Sequence, residues 1–116
     1  KLANHSELKE INLANTIITD EALENLANIK TLEKINLRLT KITDKALEKL
    51  AKIETLEKID ISYTKITDEG LEKLANLPNL KEINLIFTAI TDASLKKFNE
   101  TRKENGLTQV QFTQNP

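Results

Sequence analysis

The sequence predicts an α/β solenoid, in which short strands form a parallel sheet on one side and short helices pack on the other. Leucines at positions 8, 32, 56 and 80 open four copies of one pattern at a constant step of 24 residues. Within each copy the apolar spacing changes from two residues, typical of a strand, to three, typical of a helical face. A unit of this size buries its apolar face only against a neighbouring unit, so the copies must stack.

The repeat frame predicts a single domain over residues 1–116. It comprises a partial N-terminal repeat at 1–7, four repeats at 8–31, 32–55, 56–79 and 80–106, and a C-terminal capping strand at 107–116. The frame lacks a helix before Leu2, so we expect an end that a partner, another copy or upstream repeats cover. His5 falls in a column that is apolar in the other repeats, either as a ligand or acid-base group or as a polar substitute where burial is partial.

The first part of each repeat predicts a strand with one buried face. Leu8, Ile11 and Leu13 begin a pattern that returns in every later repeat. Alternation places the intervening residues on the opposite face, and the equal spacing aligns the strands in parallel.

Each strand leads into a Thr-x-Ile-Thr-Asp sequence, read first at Thr16–Asp20. The first Thr of this sequence recurs as Thr16, Thr40, Thr64 and Thr88, and its hydroxyl is expected to bond turn backbone that the sheet leaves unpaired. The helix is predicted to begin at the Thr-Asp pair, where either side chain can cap the free N–H groups of the first turn. The acid also meets the positive end of the helix dipole, and it recurs as Asp20, Asp44, Asp68 and Asp92. A row of carboxylates also suggests a metal site, but capping explains the row without one.

The last repeat departs from the pattern as a terminal cap would. Phe98 and Asn99 replace Leu and Ala, and three extra residues precede Leu107. The helix that starts at Asp92 is therefore expected to run to about Asn105, where Gly106 ends it.

Composition narrows the classes of function. A net charge of -1, from 17 basic and 18 acidic residues, gives no global field for nucleic acid or for an anionic membrane. No apolar run approaches the ~20 residues that membrane insertion requires. With no Cys, one His and no glycine-rich phosphate loop, we expect no enzyme, no catalytic or metal-binding residues and no cofactor.

The pattern LxxIxLxxTxITDxxLxxLAxI resembles the leucine-rich repeat family, in a short-helix form with Thr where many members have Asn or Cys. The resemblance extends over essentially the whole chain. It implies a curved right-handed β-α superhelix with a concave parallel sheet, convex short helices, and ligands met by the concave strands. Members of this family bind proteins, peptides, nucleic acids and small molecules, so the fold alone does not give the function.

The concave strand face holds the columns that differ between repeats. One row contains Glu10, Lys34, Lys58 and Glu82 and is expected to form a lateral charge ladder. The next row contains Asn12, Asn36, Asp60, Asn84 and Gln111 and is expected to form an amide ladder. Within it, Asp60 is alternatively an anchor for a cationic ligand group.

At the strand exits, Leu39, Tyr63 and Phe87 share one column, with Ile86 one position away. Neighbouring strands lie ~5 Å apart, so these side chains should form a continuous apolar strip, either a contact surface or packing under the following loops. The predicted partner-binding residues are Arg38, Leu39, Asp60, Tyr63, Ile86 and Phe87.

The sequence thus predicts a non-catalytic protein-protein interaction module that binds a protein or peptide on its concave strand face. The alternative is a structural segment of a longer repeat protein or assembly, joined through the N-terminal end by self-association or by upstream repeats. Nucleic acid is not an expected partner, because a role through Arg38, Lys41, Lys65 and Tyr63 would rest on too few basic residues, on a nearly neutral chain, for a footprint.

Overall fold

The computed structural model describes residues 7–114, and within this range strands alternate with helices. The strands are β1 (Glu10–Asn12), β2 (Lys34–Asn36), β3 (Lys58–Asp60), β4 (Glu82–Asn84) and β5 (Gln111–Thr113). The helices are α1 (Ala22–Leu26), α2 (Asp44–Leu50), α3 (Asp68–Glu72) and α4 (Asp92–Glu104). The predictions for Leu2 and His5 lie outside the described residues.

The strands form one parallel sheet in the order β1-β2-β3-β4-β5. Equivalent residues of successive repeats pair directly, as Ile11 does with Ile35 and Ile35 with Ile59. Hydrogen bonding continues beyond the strands, since the Leu37 N–H donates to the Asp60 carbonyl at 2.8 Å. The predicted α/β solenoid with in-register parallel strands is confirmed.

The register of β5 differs from the prediction. The repeat frame placed Gln111 beside Asn84, whereas Gln111 pairs with Glu82 and Thr113 pairs with Asn84. The frame was two residues short because Leu107, which it took as the opening of the strand, still belongs to the turn after α4: its N–H donates to the Arg102 carbonyl oxygen at 2.8 Å. The predicted helix end at Gly106 is itself confirmed.

Leucine and isoleucine side chains fill the space between the sheet and the helices. In the second repeat Leu32 and Ile35 are buried, as are their equivalents in the third and fourth repeats. Their equivalents in the first repeat, Leu8 and Ile11, are only partly buried against the same core. Each repeat therefore depends on the preceding one to complete the burial of its apolar strand residues.

The threonine column fixes the turn that follows each strand, as predicted. The Thr40 hydroxyl donates to the Leu37 carbonyl oxygen at 2.7 Å, and the Thr64 hydroxyl donates to the Ile61 carbonyl oxygen at 2.6 Å. The first and fourth repeats form the same bond. These hydroxyls bind carbonyl groups at the point where the sheet ends.

The aspartate column joins neighbouring repeats. The Asp20 carboxylate accepts from the backbone N–H of Thr43 at 2.7 Å and from the Thr43 hydroxyl at 2.5 Å, one repeat further along the chain. The same Asp–Thr link joins Asp44 to Thr67 and Asp68 to Thr91. The capping role predicted for the carboxylates is wrong at α2 and α3, because Asp44 and Asp68 are the first helical residues and Thr43 and Thr67 occupy the capping positions. The alternative, capping by the Thr of the pair, is confirmed at α4, where the Thr91 hydroxyl oxygen accepts from the Ser94 N–H at 3.2 Å.

Gly70, the residue two positions after Asp68 in the helix, leaves room for the Asp44–Thr67 link. At Gly70, in α3, a Cβ atom would overlap the Asp44 carboxylate. The close approach of the two repeats at this junction therefore depends on the missing side chain.

Arg102 closes the C-terminal end of the core. Its side chain is fully buried, and its guanidinium donates to the carbonyl oxygens of Thr108 (2.6 Å), Ala75 (2.9 Å) and Leu77 (2.7 Å). Burial lowers the pKa of Arg102, but arginine remains protonated at neutral pH. A single buried cation thus binds carbonyl groups that follow α3 and α4.

The Arg102 contacts predict a large stability loss on truncation. Arg102→Met keeps an unbranched apolar stem but leaves buried carbonyl groups without donors, so we expect the free energy of unfolding to fall by roughly 2–4 kcal/mol. Urea denaturation measures this, with Lys103→Met on the adjacent exposed residue as the control. Equal stability of the two variants would show that Arg102 does not hold the cap.

Candidate binding surface at the strand exits

The concave side of the sheet is an open trough. Its floor is formed by the side chains of β1 to β4 that point away from the core. These belong to two rows, the charged row that begins at Glu10 and the mainly Asn row that begins at Asn12, with Thr113 of β5 at one end. The strands are three residues long, so the trough is narrow and the following turns form its rim.

The charge row forms the predicted lateral pairs. Lys34 Nζ lies 3.4 Å from the Glu10 carboxylate, and Lys58 Nζ lies 3.7 Å from the Glu82 carboxylate. The two lysines are neighbours in register, and each pairs outward with its own acid. These pairs are exposed and contribute little to stability, roughly 0–1 kcal/mol each.

The amide row does not form a ladder between strands. Asn36 Oδ1 accepts from the backbone N–H of Arg38 at 3.0 Å, two residues further along its own chain. Asn12 and Asn84 do the same in their repeats. The predicted amide ladder is wrong because an Asn at a strand end bonds its own turn, as an Asx turn does.

Asp60 follows the same rule as the asparagines. Its Oδ1 accepts from the Ser62 backbone N–H at 3.0 Å and from the Ser62 hydroxyl at 2.6 Å. Ser62 is fully buried, although strand alternation continued past Asp60 would place its side chain on the open face. Asp60 therefore has a structural role in the turn, and its role in binding stays a prediction.

The strand-exit column has left-handed backbone in every repeat. Asn15, Leu39, Tyr63 and Phe87 have φ values of 59°, 56°, 57° and 54°. Asn adopts this conformation readily, whereas other L-residues are disfavoured there by roughly 1–2 kcal/mol. The fold alone would therefore favour Asn or Gly at the three positions that hold Leu, Tyr and Phe.

These three residues form what we call the exit strip, defined as Leu39, Tyr63 and Phe87. The Tyr63 and Phe87 rings have centroids 4.8 Å apart, and the Arg38 guanidinium carbon lies 4.3 Å from the centroid of the Tyr63 ring. Leu39 is 47% exposed and Phe87 is 60% exposed. The structure thus places Arg38 and the strip side by side on the rim.

Ile86, the remaining predicted site residue, is half-buried. Its backbone N–H donates to Asn84, and its carbonyl oxygen accepts from the Tyr63 N–H at 2.8 Å. Ile86 therefore supports the position of Tyr63 from the neighbouring repeat.

The convex helix face has a different chemistry. Glu24, Glu48 and Glu72 each pair with a lysine of the next repeat, at Lys49, Lys73 and Lys97. A hydrogen bond from Lys49 lowers the pKa of Glu24, and the same bond raises the pKa of Lys49. This face is a solvated surface of mixed charge.

Two structural findings concern other kinds of site. Within residues 7–114, no group of three His, Cys, Asp or Glu side chains is positioned to hold a metal ion. Over the same range, no helix is long and apolar enough to cross a bilayer.

A family model described as Leucine Rich repeat matches residues 28–51 and 52–75, two consecutive repeats. Residues 28–75 are therefore leucine-rich repeats. The described chain as a whole has the solenoid fold of such repeats. None of the curated proteins matches it.

Solved structures support the leucine-rich repeat fold. The chain is similar to leiomodin-1 actin-binding site 2, with a TM-score of 0.73 and 19% identity, over 97% of this chain and 74% of that one. It is also similar to an internalin from Listeria monocytogenes, with a TM-score of 0.55 and 20% identity, over 97% of this chain and 36% of that one. The chain thus spans about a third of the internalin, and at these identities the likeness shows the fold.

Sequence reasoning found the exit strip but missed its backbone conformation. The signal was present at Asn15, because Asn is enriched among non-glycine residues with positive φ. It also missed Arg102, because no other repeat has an arginine at the equivalent position.

The left-handed backbone at Phe87 predicts that replacement by Asn destabilises the protein less than replacement by Val. Phe87→Asn removes an exposed ring but relieves the backbone, so we expect unfolding free energy within about 1 kcal/mol of the parent. Phe87→Val removes the same ring contact and places a β-branched residue at positive φ, so it should be about 1–2 kcal/mol less stable than the Asn variant. Urea denaturation of both variants decides, and equal stabilities would contradict the strain.

Proposed function

We propose that this leucine-rich repeat protein is a non-catalytic module that binds a protein or peptide on its concave side and exit rim. The exit strip forms the centre of the site, with Arg38, Asp60 and Ile86 around it. One observation supports this proposal most strongly: exposed Leu39 and Phe87, with half-buried Tyr63 between them, are large side chains at positions whose backbone favours Asn.

The arrangement suits recognition of a protein. Interfaces concentrate their affinity in a few aromatic or arginine anchors, surrounded by contacts that contribute little. Tyr63 and Arg38 are such residue types, and each is held by a neighbour before any partner arrives. Side chains ordered in advance lose less entropy on binding.

The structural comparison favours the same class of partner. The similar segment of leiomodin-1 is named as a binding site for actin, which is a protein. That partner belongs to leiomodin, and the proposal for this chain takes from it only that a short solenoid of this fold suffices for protein binding. The paired lysines and glutamates of the helix face offer no comparable anchor.

The test compares the strip with the helix face. Tyr63→Asn and Phe87→Asn keep the left-handed backbone, so we expect each to weaken binding of a captured partner by more than tenfold without unfolding the chain. Partners are captured from an extract of the source cells, and their affinities are measured by biolayer interferometry.

Lys49→Ala and Lys73→Ala, on the helix face, are the controls and should bind within a factor of two. If the Asn variants bind as tightly as the parent, the site lies elsewhere. If they unfold as a core deletion would, the strip is packing rather than a contact surface.

The exposure of the first repeat favours a second candidate function. Leu8, Ile11 and Leu13 are only partly buried, and β1 is the edge strand of the sheet. An edge strand with a half-buried apolar face is suited to a further repeat or to another chain. We propose as the alternative that this end joins the domain to a larger assembly.

Sedimentation over a wide concentration range tests the assembly role. The expected result is self-association that protects the β1 amides from hydrogen exchange as concentration rises. A strict monomer whose β1 amides are already fully protected would contradict the need for any cover.

A further inference from the structure

We infer that the exit rim recognises an acidic, apolar segment of its partner. The exit rim is defined as residues 37–42, 61–66 and 85–90, the turns that contain the exit strip. The inference rests on the proposed function and specifies the chemistry of the ligand.

The first supporting observation is the charge of the rim. Its three segments contain Arg38, Lys41 and Lys65 and no Asp or Glu, in a chain with 18 acidic residues and a net charge of -1. The corresponding turn of the first repeat, residues 13–18, also contains no acidic residue. The rim is therefore a locally basic surface on a nearly neutral protein.

These basic side chains are free of ion pairs, unlike most lysines of the concave and helix faces. Seven lysines in the described part of the chain form salt bridges with glutamates, and every one lies on the strands, their approaches or the helices. Within the same residues, Arg38, Lys41 and Lys65 form no salt bridge. The nearby acids are engaged elsewhere, since Asp60 binds Ser62 and Asp44 binds Thr67.

Arg38 is placed for a carboxylate. Its guanidinium lies over the Tyr63 ring, 4.3 Å from the centroid, which holds it in place by a cation-π contact. No hydrogen bond satisfies its N–H groups within residues 7–114, so its planar donor edge is available. A guanidinium with a free edge binds a carboxylate by two parallel hydrogen bonds.

The dimensions suit an extended segment that crosses the strands. Leu39, Tyr63 and Phe87 come from three neighbouring repeats, so the strip is roughly 10 Å long at ~5 Å per strand. Three or four residues of an extended chain, at ~3.3 Å each, cover that length. Lys41 and Lys65 follow the strip by two residues, within ~7 Å between Cα atoms, where acidic residues flanking an apolar contact would reach them.

A nucleic acid fits the rim less well. Phosphate-backbone binding draws on many basic contacts, roughly six to ten for tight complexes, and the rim offers three. Of the three strip residues, Leu39 is aliphatic and offers no face on which a base can stack. A protein segment that alternates carboxylates with aliphatic or aromatic residues uses every feature of the rim.

A defined peptide library tests the inference. The whole chain is immobilised and a phage-displayed library of random 12-residue peptides is selected on it at low salt. Enriched peptides are then synthesised, and their affinities are measured by fluorescence anisotropy at 50 and 300 mM NaCl. We expect enriched sequences to combine Asp or Glu with Leu, Phe or Tyr, and to bind several-fold more weakly at the higher salt.

A charge-matched pair of triple variants locates the effect. Arg38→Gln, Lys41→Gln and Lys65→Gln together should weaken binding of these peptides at least tenfold and remove most of the salt dependence. The control is Lys45→Gln, Lys96→Gln and Lys103→Gln, which removes three exposed basic side chains without salt bridges from the helices and makes the same change in net charge. The control should bind within a factor of two.

The outcomes separate the inference from the proposed function. If neutral or basic peptides are enriched, and they lose binding with Tyr63→Asn but not with the rim triple variant, the strip binds partners and the acidic inference is wrong. If no selected peptide depends on Tyr63 or Phe87, both proposals fail. If a 20-residue oligo-dT binds more tightly than the selected peptides and depends on Tyr63, the rim is a nucleic-acid site and the inference is again overturned.

Discussion

The contact between one repeat and the next is the interaction on which the rest of the structure depends. A strand of three residues followed by a helix of five to seven residues in each of the first three repeats cannot enclose a core by itself. Stacking supplies the missing wall, and the in-register sheet aligns the apolar residues of all repeats in the same layers. The Asp–Thr link adds a polar bond near the helix side of the first three junctions.

The need for each repeat to stack on its neighbour determines which positions the fold constrains. Residues that form the turn or the bond between repeats recur, as Thr64 does in the turn and Asp44 does at the junction. A residue that points into the trough or onto the rim is free to differ, as Arg38 and Tyr63 do from their equivalents in the first repeat, Ala14 and Asn15. Because the fold accounts for the residues that recur in every repeat, the residues that differ between repeats mark the surface that the fold leaves free.

The reach of sequence reasoning follows from the same distinction. The register of β1 to β4 was predictable because a constant step forces equivalent residues into contact. The register of β5 was not, because the length of the turn after α4 occurs once and has no second copy for comparison. Asp44 shows a different limit: its column was evident, but a sequence does not tell whether a carboxylate at a helix start bonds its own helix or the next one.

The candidate site also has features that the sequence predicted and features that it did not. The exit strip was predicted as a row of large apolar residues, and the structure shows that Tyr63 contacts Phe87 within the strip and Arg38 beside it. The buried position of Ser62 was not predictable from alternation, because the strand ends at Asp60 and the period of two ends with it. The binding role of the site residues remains a proposal, for which the rim gives the physical grounds.

The bonds of Arg102 have a consequence for how the protein would respond to mechanical force. Its guanidinium reaches back to the carbonyl groups of Ala75 and Leu77, so the last two repeats are tied together and should give way as one unit. The first repeat has no such tie and should detach first. Each repeat of 24 residues that unfolds would then release about 80 Å of polypeptide. The domain would extend in steps from its N-terminal end, and the last two repeats would unfold together in the final step.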